Sequence, residues 1–311
     1  MQSPYRTTHR SMLITVTLAL AAGCDDPDAL VVDAEGEVVD IAGDGPDTAD
    51  PQKLGASAAD GDEPPDRSGA ADQRAFAAPA APPEEAGAPC RILALGDSIT
   101  YGWNSNPAQE GDPTGTYHGG YRAHLVAGFV QVPSPTVGPI KMVGALVEHS
   151  TPLQVAWGQA AHSGYSGYTN AGIAWTVGTL GSSSFNPDII LLHSGTNDIR
   201  LSGWPQHATA LANLNVLLEN LRVKNPGATI LMAKIIPMTG AYAYLNSEVN
   251  AYNAQLDGVA AARQAIGQDV RIVDHNTFFP TATILDGLHP DWTGYANMAA
   301  RWRLALDAAG C

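Results

Sequence analysis

The sequence predicts an α/β protein of three layers, with a five-stranded parallel sheet between two layers of helices, over residues 89–311. Three observations predict it. Five short runs, Ile92–Leu95, Lys141–Val143, Asp188–His193, Thr229–Ile235 and Val270–Val273, are mostly continuous in their hydrophobicity, as strands covered on both faces must be. Stretches of helical period alternate with them, the pattern of a parallel sheet with helical crossovers. The 223 residues suit one domain with a substantial core, and they contain no internal repeat.

Each element then has its own reason. The first strand ends at Gly96, so Asp97 and Ser98 sit where an apolar run stops and the chain turns. Leu211, Leu214, Leu218 and Leu221 recur at helical spacing and predict a helix between the third and fourth strands. Tyr244 to Ile266 predicts the next. A last helix from about Asp291 carries Trp292, Tyr295, Met298, Ala299, Trp302 and Leu306 on one face. It must run antiparallel to the strands, which brings its end to the start of the first strand. Cys311 therefore meets Cys90, and we expect a disulfide between them, worth roughly 4–5 kcal/mol in the chain-entropy model. Such a bond belongs to an oxidising compartment.

The N-terminal part reads differently. Residues 1–24 carry Arg6 and Arg10, an apolar run from Met12 to Ala22 and then Gly23-Cys24. The run is too short to span a membrane and predicts a secretory signal of lipoprotein type, with Cys24 as the lipidated first residue of the mature chain. If that cysteine is not used, the same segment predicts simple secretion. Residues 25–88 hold 17 acidic and 3 basic side chains among Ala, Pro and Gly, and predict a disordered acidic linker. The pairs Val31-Val32 and Val38-Val39 interrupt it without changing that reading. The formal charge of −15 thus belongs to the linker, since residues 89–311 carry only −3. No basic patch exists to neutralise phosphates, which disfavours nucleic acid as a partner.

The candidate chemistry lies in the folded part. A serine hydroxyl is a weak nucleophile until a base takes its proton, and an imidazole does so only when a third group fixes its tautomer. Ser98 can be that nucleophile, with His289 as the base and Asp286, three residues earlier in Asp-Gly-Leu-His, as the orienting group. Asn197, in Gly-Thr-Asn-Asp after the third strand, can offer a side-chain amide to a developing oxyanion. In Ser163-Gly164-Tyr165-Ser166-Gly167, either glycine can present a backbone N–H. Asp274-His275 forms a rival pair, but neighbours on a strand point to opposite faces. No His-Glu-x-x-His or other strong ligand spacing is present, nor any phosphate-cradling loop, so neither a metal nor another cofactor is expected.

Gly-Asp-Ser at Ser98, the glycine block at Gly167, Gly-Thr-Asn-Asp at Asn197 and Asp-x-x-His at His289 resemble the ordered blocks of the SGNH, or GDSL-type, hydrolases. The resemblance spans Arg91 to about Leu306. It implies the flavodoxin-like SGNH hydrolase fold, the catalytic set Ser98, His289 and Asp286, and an oxyanion hole of the Ser98 and Gly167 N–H groups with the Asn197 amide. It favours Gly167 over Gly164. Gly119-Gly120-Tyr121-Arg122, Pro187-Asp188, Tyr252-Asn253 and His289-Pro290-Asp291-Trp292-Thr293-Gly294-Tyr295 resemble one branch, the acetyl xylan esterases of carbohydrate esterase family three. That branch removes O-acetyl groups from plant polysaccharide, which implies an acetylated xylan or xylo-oligosaccharide as substrate. Trp103, Tyr165, Tyr168 and Trp204 are candidates to stack on sugar rings. Two other readings are a lysophospholipase or general short-chain esterase, and a non-catalytic glycan-binding lipoprotein. The sequence leaves the oligomeric state open.

Overall fold

A computed structural model describes residues 88–179, 182–201 and 206–311, together with the two-residue strands Val31–Val32 and Val38–Val39. Those two strands pair antiparallel with each other, a pairing the linker reading did not include. Cys24, the rest of the linker and Trp204 lie outside the described residues. Among the described residues, no helix is long and apolar enough to cross a membrane.

The C-terminal unit is built on a parallel sheet. Its strands are β1 (Cys90–Gly96), β2 (Ile140–Val143), β3 (Ser163–Gly164), β4 (Ile189–His193), β5 (Thr229–Lys234) and β6 (Val270–Asp274). They lie in the order β2-β1-β4-β5-β6, and β3 pairs with the end of β1. The five expected strands are all present, and the sixth is an addition. β3 has only two residues, Ser163 and Gly164, and carries no apolar run by which a sequence could reveal it. It continues the edge where β2 stops, pairing Leu95 with Ser163 and Gly96 with Gly164.

Alternation along the central strands sorts their side chains into two cores. Leu93, Leu95, Ile190, Leu192, Ile230 and Met232 pack on one face, with Leu214, Leu218 and Leu221 of the helix Gln206–Lys224 and Leu256 of the helix Asn246–Gln264. Ile92, Ala94, Ile189, Leu191, Leu231 and Ala233 pack on the other, with Leu125 and Phe129 of the helix Gly120–Gln131 and Tyr295, Met298 and Trp302 of the last helix, Trp292–Ala309. Period-2 sorting into two dry layers is what makes the strands read as continuous apolar runs. Asp291 caps the last helix by accepting the Gly294 N–H at 2.9 Å. That helix ends beside β1, where Cys90 and Cys311 are joined by a disulfide with Cα atoms 5.6 Å apart.

In a parallel sheet all strands end on one edge, and that edge gathers the loops that follow them. Ser98 follows β1, Gly167 follows β3, Asn197 follows β4, and Asp286 and His289 follow β6.

Candidate active site

Ser98 opens a one-turn helix, Ser98–Tyr101, capped by Asp97, whose carboxylate accepts the Ile99 N–H at 3.0 Å. As the first helical residue, Ser98 has a backbone N–H with no intrahelical acceptor. The segment Gly119-Gly120-Tyr121-Arg122 holds this short helix from behind. Gly120 and Gly102 both have positive φ, and the backbones pass so closely that a Cβ on Gly120 would lie 2.8 Å from the Gly102 Cα. Tyr121 shares a hydrogen bond of 3.1 Å with the Thr100 hydroxyl. Arg122, fully buried, donates to the carbonyls of Thr100, Tyr101 and His149, the first two at 2.8 Å and the third at 3.0 Å. Burial lowers its pKa to about 10, still well above neutral pH, so the guanidinium stays charged.

Asp286 and His289 lie in a loop closed by an antiparallel bridge between Ile284 and Pro290. His289 Nδ1 is 2.6 Å from Asp286 Oδ2, and His289 Nε2 is 2.8 Å from Ser98 Oγ. Asp286 Oδ1 accepts the backbone N–H groups of Leu288 and His289. Burial works against this carboxylate, but the bonds and charge of His289 outweigh it and hold the pKa below the usual aspartate value. An ionised Asp286 accepts a hydrogen bond from Nδ1–H and keeps the hydrogen on that nitrogen, which leaves the Nε2 lone pair facing the serine hydroxyl. That is the tautomer a general base needs.

The remaining candidate donors follow other strands at the same edge of the sheet. Asn197, buried in the helix Thr196–Leu201, gives one amide hydrogen to the Tyr168 carbonyl at 3.0 Å, which fixes the amide plane and leaves its other N–H available. Gly164 donates its N–H to His162 Nδ1 at 3.1 Å, so that group is committed within the fold. The Gly167 N–H has no acceptor among the described residues, φ there is 79°, and the space a Cβ would fill is open. Of the two glycines the sequence offered, Gly167 is therefore the one free to bind an oxyanion.

The aromatic candidates separate. Trp103 and Tyr168 are exposed at the rim, and the Trp103 indole donates to Ser166 Oγ at 2.9 Å. Tyr165 is half-buried: it packs against the core and stacks on Tyr168 at 5.3 Å. The stack joins it to Tyr168 at the rim. The rival pair is structural. Asp274 caps its own turn through Asn276 and Thr277, while His275 is fully buried against the Trp302 ring. Tyr295, whose hydroxyl donates to the Trp103 carbonyl at 2.5 Å, and Arg122 brace the site without having been read as site residues. Arg122 sits in a segment that the sequence marked only by resemblance, and Tyr295 was read there only as part of the apolar face of the last helix.

A three-layer α/β/α fold with a Ser-His-Asp chain at the carboxyl edge of its sheet defines a serine hydrolase of SGNH type. The chain belongs to the GDSL-like lipase/acylhydrolase family, whose profile matches residues 94–296. It is 30% identical over 239 residues to a multidomain esterase of Ruminococcus flavefaciens, covering 68% of this chain and 28% of that protein. Over 124 residues it is 32% identical to a putative endoglucanase X of Acetivibrio thermocellus, covering 38% of this chain and 49% of the relative. The chain thus spans less than two thirds of either relative. Among solved structures, a family 3 carbohydrate esterase of Clostridium thermocellum is similar with a TM-score of 0.55 and 26% identity, over 71% of this chain and 98% of that one.

Proposed function

We propose that the domain is an esterase that removes O-acetyl groups from carbohydrate, acetylated xylan or xylo-oligosaccharide, through an acyl-enzyme on Ser98. The observation that carries the reading is the unbroken hydrogen-bond chain from Asp286 through His289 to Ser98. Ser98 Oγ attacks the ester carbonyl carbon while its proton passes to His289 Nε2. The oxyanion draws hydrogen bonds from the Ser98 and Gly167 N–H groups and the Asn197 amide. Collapse breaks the bond to the sugar oxygen, which leaves with the proton from His289. Water then attacks the acetyl-serine, giving its proton to His289, and acetate departs as Ser98 regains its hydrogen. The resemblance to the family 3 carbohydrate esterase supports the sugar acetate as substrate, and the exposed Trp103 and Tyr168 suit a sugar face.

The same proposal puts the domain outside the cytoplasm, held to a membrane through a lipidated Cys24 and the acidic linker 25–88. The Cys90–Cys311 disulfide supports an oxidising compartment.

Hydrolysis of aryl acetate, butyrate and longer acyl esters tests the acyl preference. The proposal expects acetate to be favoured by about tenfold or more over butyrate, the discrimination that two methylenes in a closed acyl pocket can give. Preference for long chains would move the function to lipid.

A further inference from the structure

Outside the catalytic cluster, three segments distant in sequence bring together donors of one chemical class. Glu110 ends the short helix Pro107–Glu110, His118 lies in the turn before the helix Gly120–Gln131, and His149 lies in the loop after β2. One ring nitrogen of each histidine and one carboxylate oxygen of Glu110 lie within 4.8 Å of one another. His149 Nε2 and Glu110 Oε1 are 2.8 Å apart, and the two imidazoles lie nearly parallel, 14° between planes, with centroids 4.1 Å apart.

His149 is the unusual member. Its side chain is only 9% exposed, its backbone has φ 49°, and its Nδ1 is buried without a hydrogen-bond partner. A buried imidazole with an unpartnered nitrogen beside a second imidazole and a carboxylate calls for a cause beyond a plain hydrogen bond.

We propose that Glu110, His118 and His149 form a site for one divalent transition-metal ion of the Zn²⁺ class. Two imidazoles and a carboxylate are the three-ligand set that zinc accepts with a fourth position left to water. Tetrahedral ligands at zinc distances stand about 3.4 Å apart, and because one ion cannot lie in the planes of two stacked rings at once, one imidazole must turn out of the stack to aim its nitrogen at the ion. A hard ion such as Ca²⁺ needs six or more oxygens and finds one carboxylate here. The ion would act as a staple rather than as a reactant. His149 stacks on Tyr101 at 4.8 Å and packs beside Trp103 at 5.3 Å, so tying it to Glu110 and His118 fixes the far end of the helix that Ser98 opens.

The test is calorimetric titration of untagged, chelator-treated full chain with Zn²⁺, with Tm followed in parallel. The expected result is one ion per chain and a raised Tm, no comparable response to Ca²⁺, and affinity at least about tenfold weaker in E110Q and H118A. The variant H289A, which removes the His-carboxylate pair of the catalytic chain, should still bind. Absence of saturable one-to-one binding by the unmodified chain would overturn the proposal, as would loss of binding in H289A or unchanged binding in folded E110Q and H118A. The wild-type titration decides alone if those variants fail to fold.

Discussion

One carboxylate, Asp286, grips His289 twice: Oδ2 meets the ring Nδ1 at 2.6 Å and Oδ1 accepts the backbone N–H of the same residue at 2.8 Å. The spacing of three residues makes this possible, because the turn returns the chain onto its own acid. The aspartate therefore sets both where the imidazole is and which nitrogen carries its hydrogen.

Asp286→Asn separates those two tasks. The asparagine can still accept the backbone N–H groups, but its amide can turn a hydrogen towards Nδ1 and favour the wrong tautomer. We expect kcat to fall by about 10³–10⁴ with folding intact, measured by steady-state hydrolysis of an aryl acetate and circular dichroism. A loss under tenfold would mean that Asp286 only packs the loop.

Asn197→Ala removes the side-chain donor of the oxyanion hole. kcat should fall by about 10²–10³ while KM changes little, since the lost bond is strongest when the oxygen is charged. A change confined to KM would place Asn197 in ground-state binding instead.

Much of this was legible in the sequence, and the reasons differ by element. The central strands announce themselves because both faces are buried, and the four blocks announce the site because strand ends in a parallel sheet share one edge. What escaped has physical causes as well. β3 is two residues long, without apolar content. Tyr165, offered as a sugar platform, is half-buried, packed against the core with its ring stacked on Tyr168, a balance its spacing cannot set. Arg122 is charged and so reads as surface, whereas its guanidinium is fully buried among main-chain carbonyls that only the folded turn assembles. Glu110, His118 and His149 are spread over three loops, so no spacing links them.

Asp97 should make stability depend on pH. It is fully buried, and that burial, only partly opposed by the Ile99 N–H and the His289 charge, raises its pKa to about 7 from 3.8. Between those values the folded state holds a proton that the unfolded state has released, so stability falls as pH rises from about 4 to 7 and the penalty is complete above 7. Asp97→Asn can keep the cap to Ile99 and removes this titration. Its Tm relative to wild type should rise across that window, by an amount equivalent to at most about 4 kcal/mol. A difference independent of pH would contradict the buried-acid account.

The Cys90–Cys311 disulfide closes a separation of 221 residues. In the chain-entropy model a loop of that length is worth about 5 kcal/mol. Cys311→Ser should therefore lower unfolding free energy in urea by about 3–5 kcal/mol, with the Ser98 site assembled at 25 °C. No loss of stability would mean that the bond does not constrain the unfolded chain.

The most direct test of the central claim is acetate release from acetylated xylo-oligosaccharide by wild type and by Ser98→Ala, side by side. The account predicts steady release by wild type and a fall of about 10⁴-fold or more in the variant, which should remain folded and of normal Tm. Equal release by the two proteins, or none from the sugar by a wild type that cleaves long-chain esters, would contradict it.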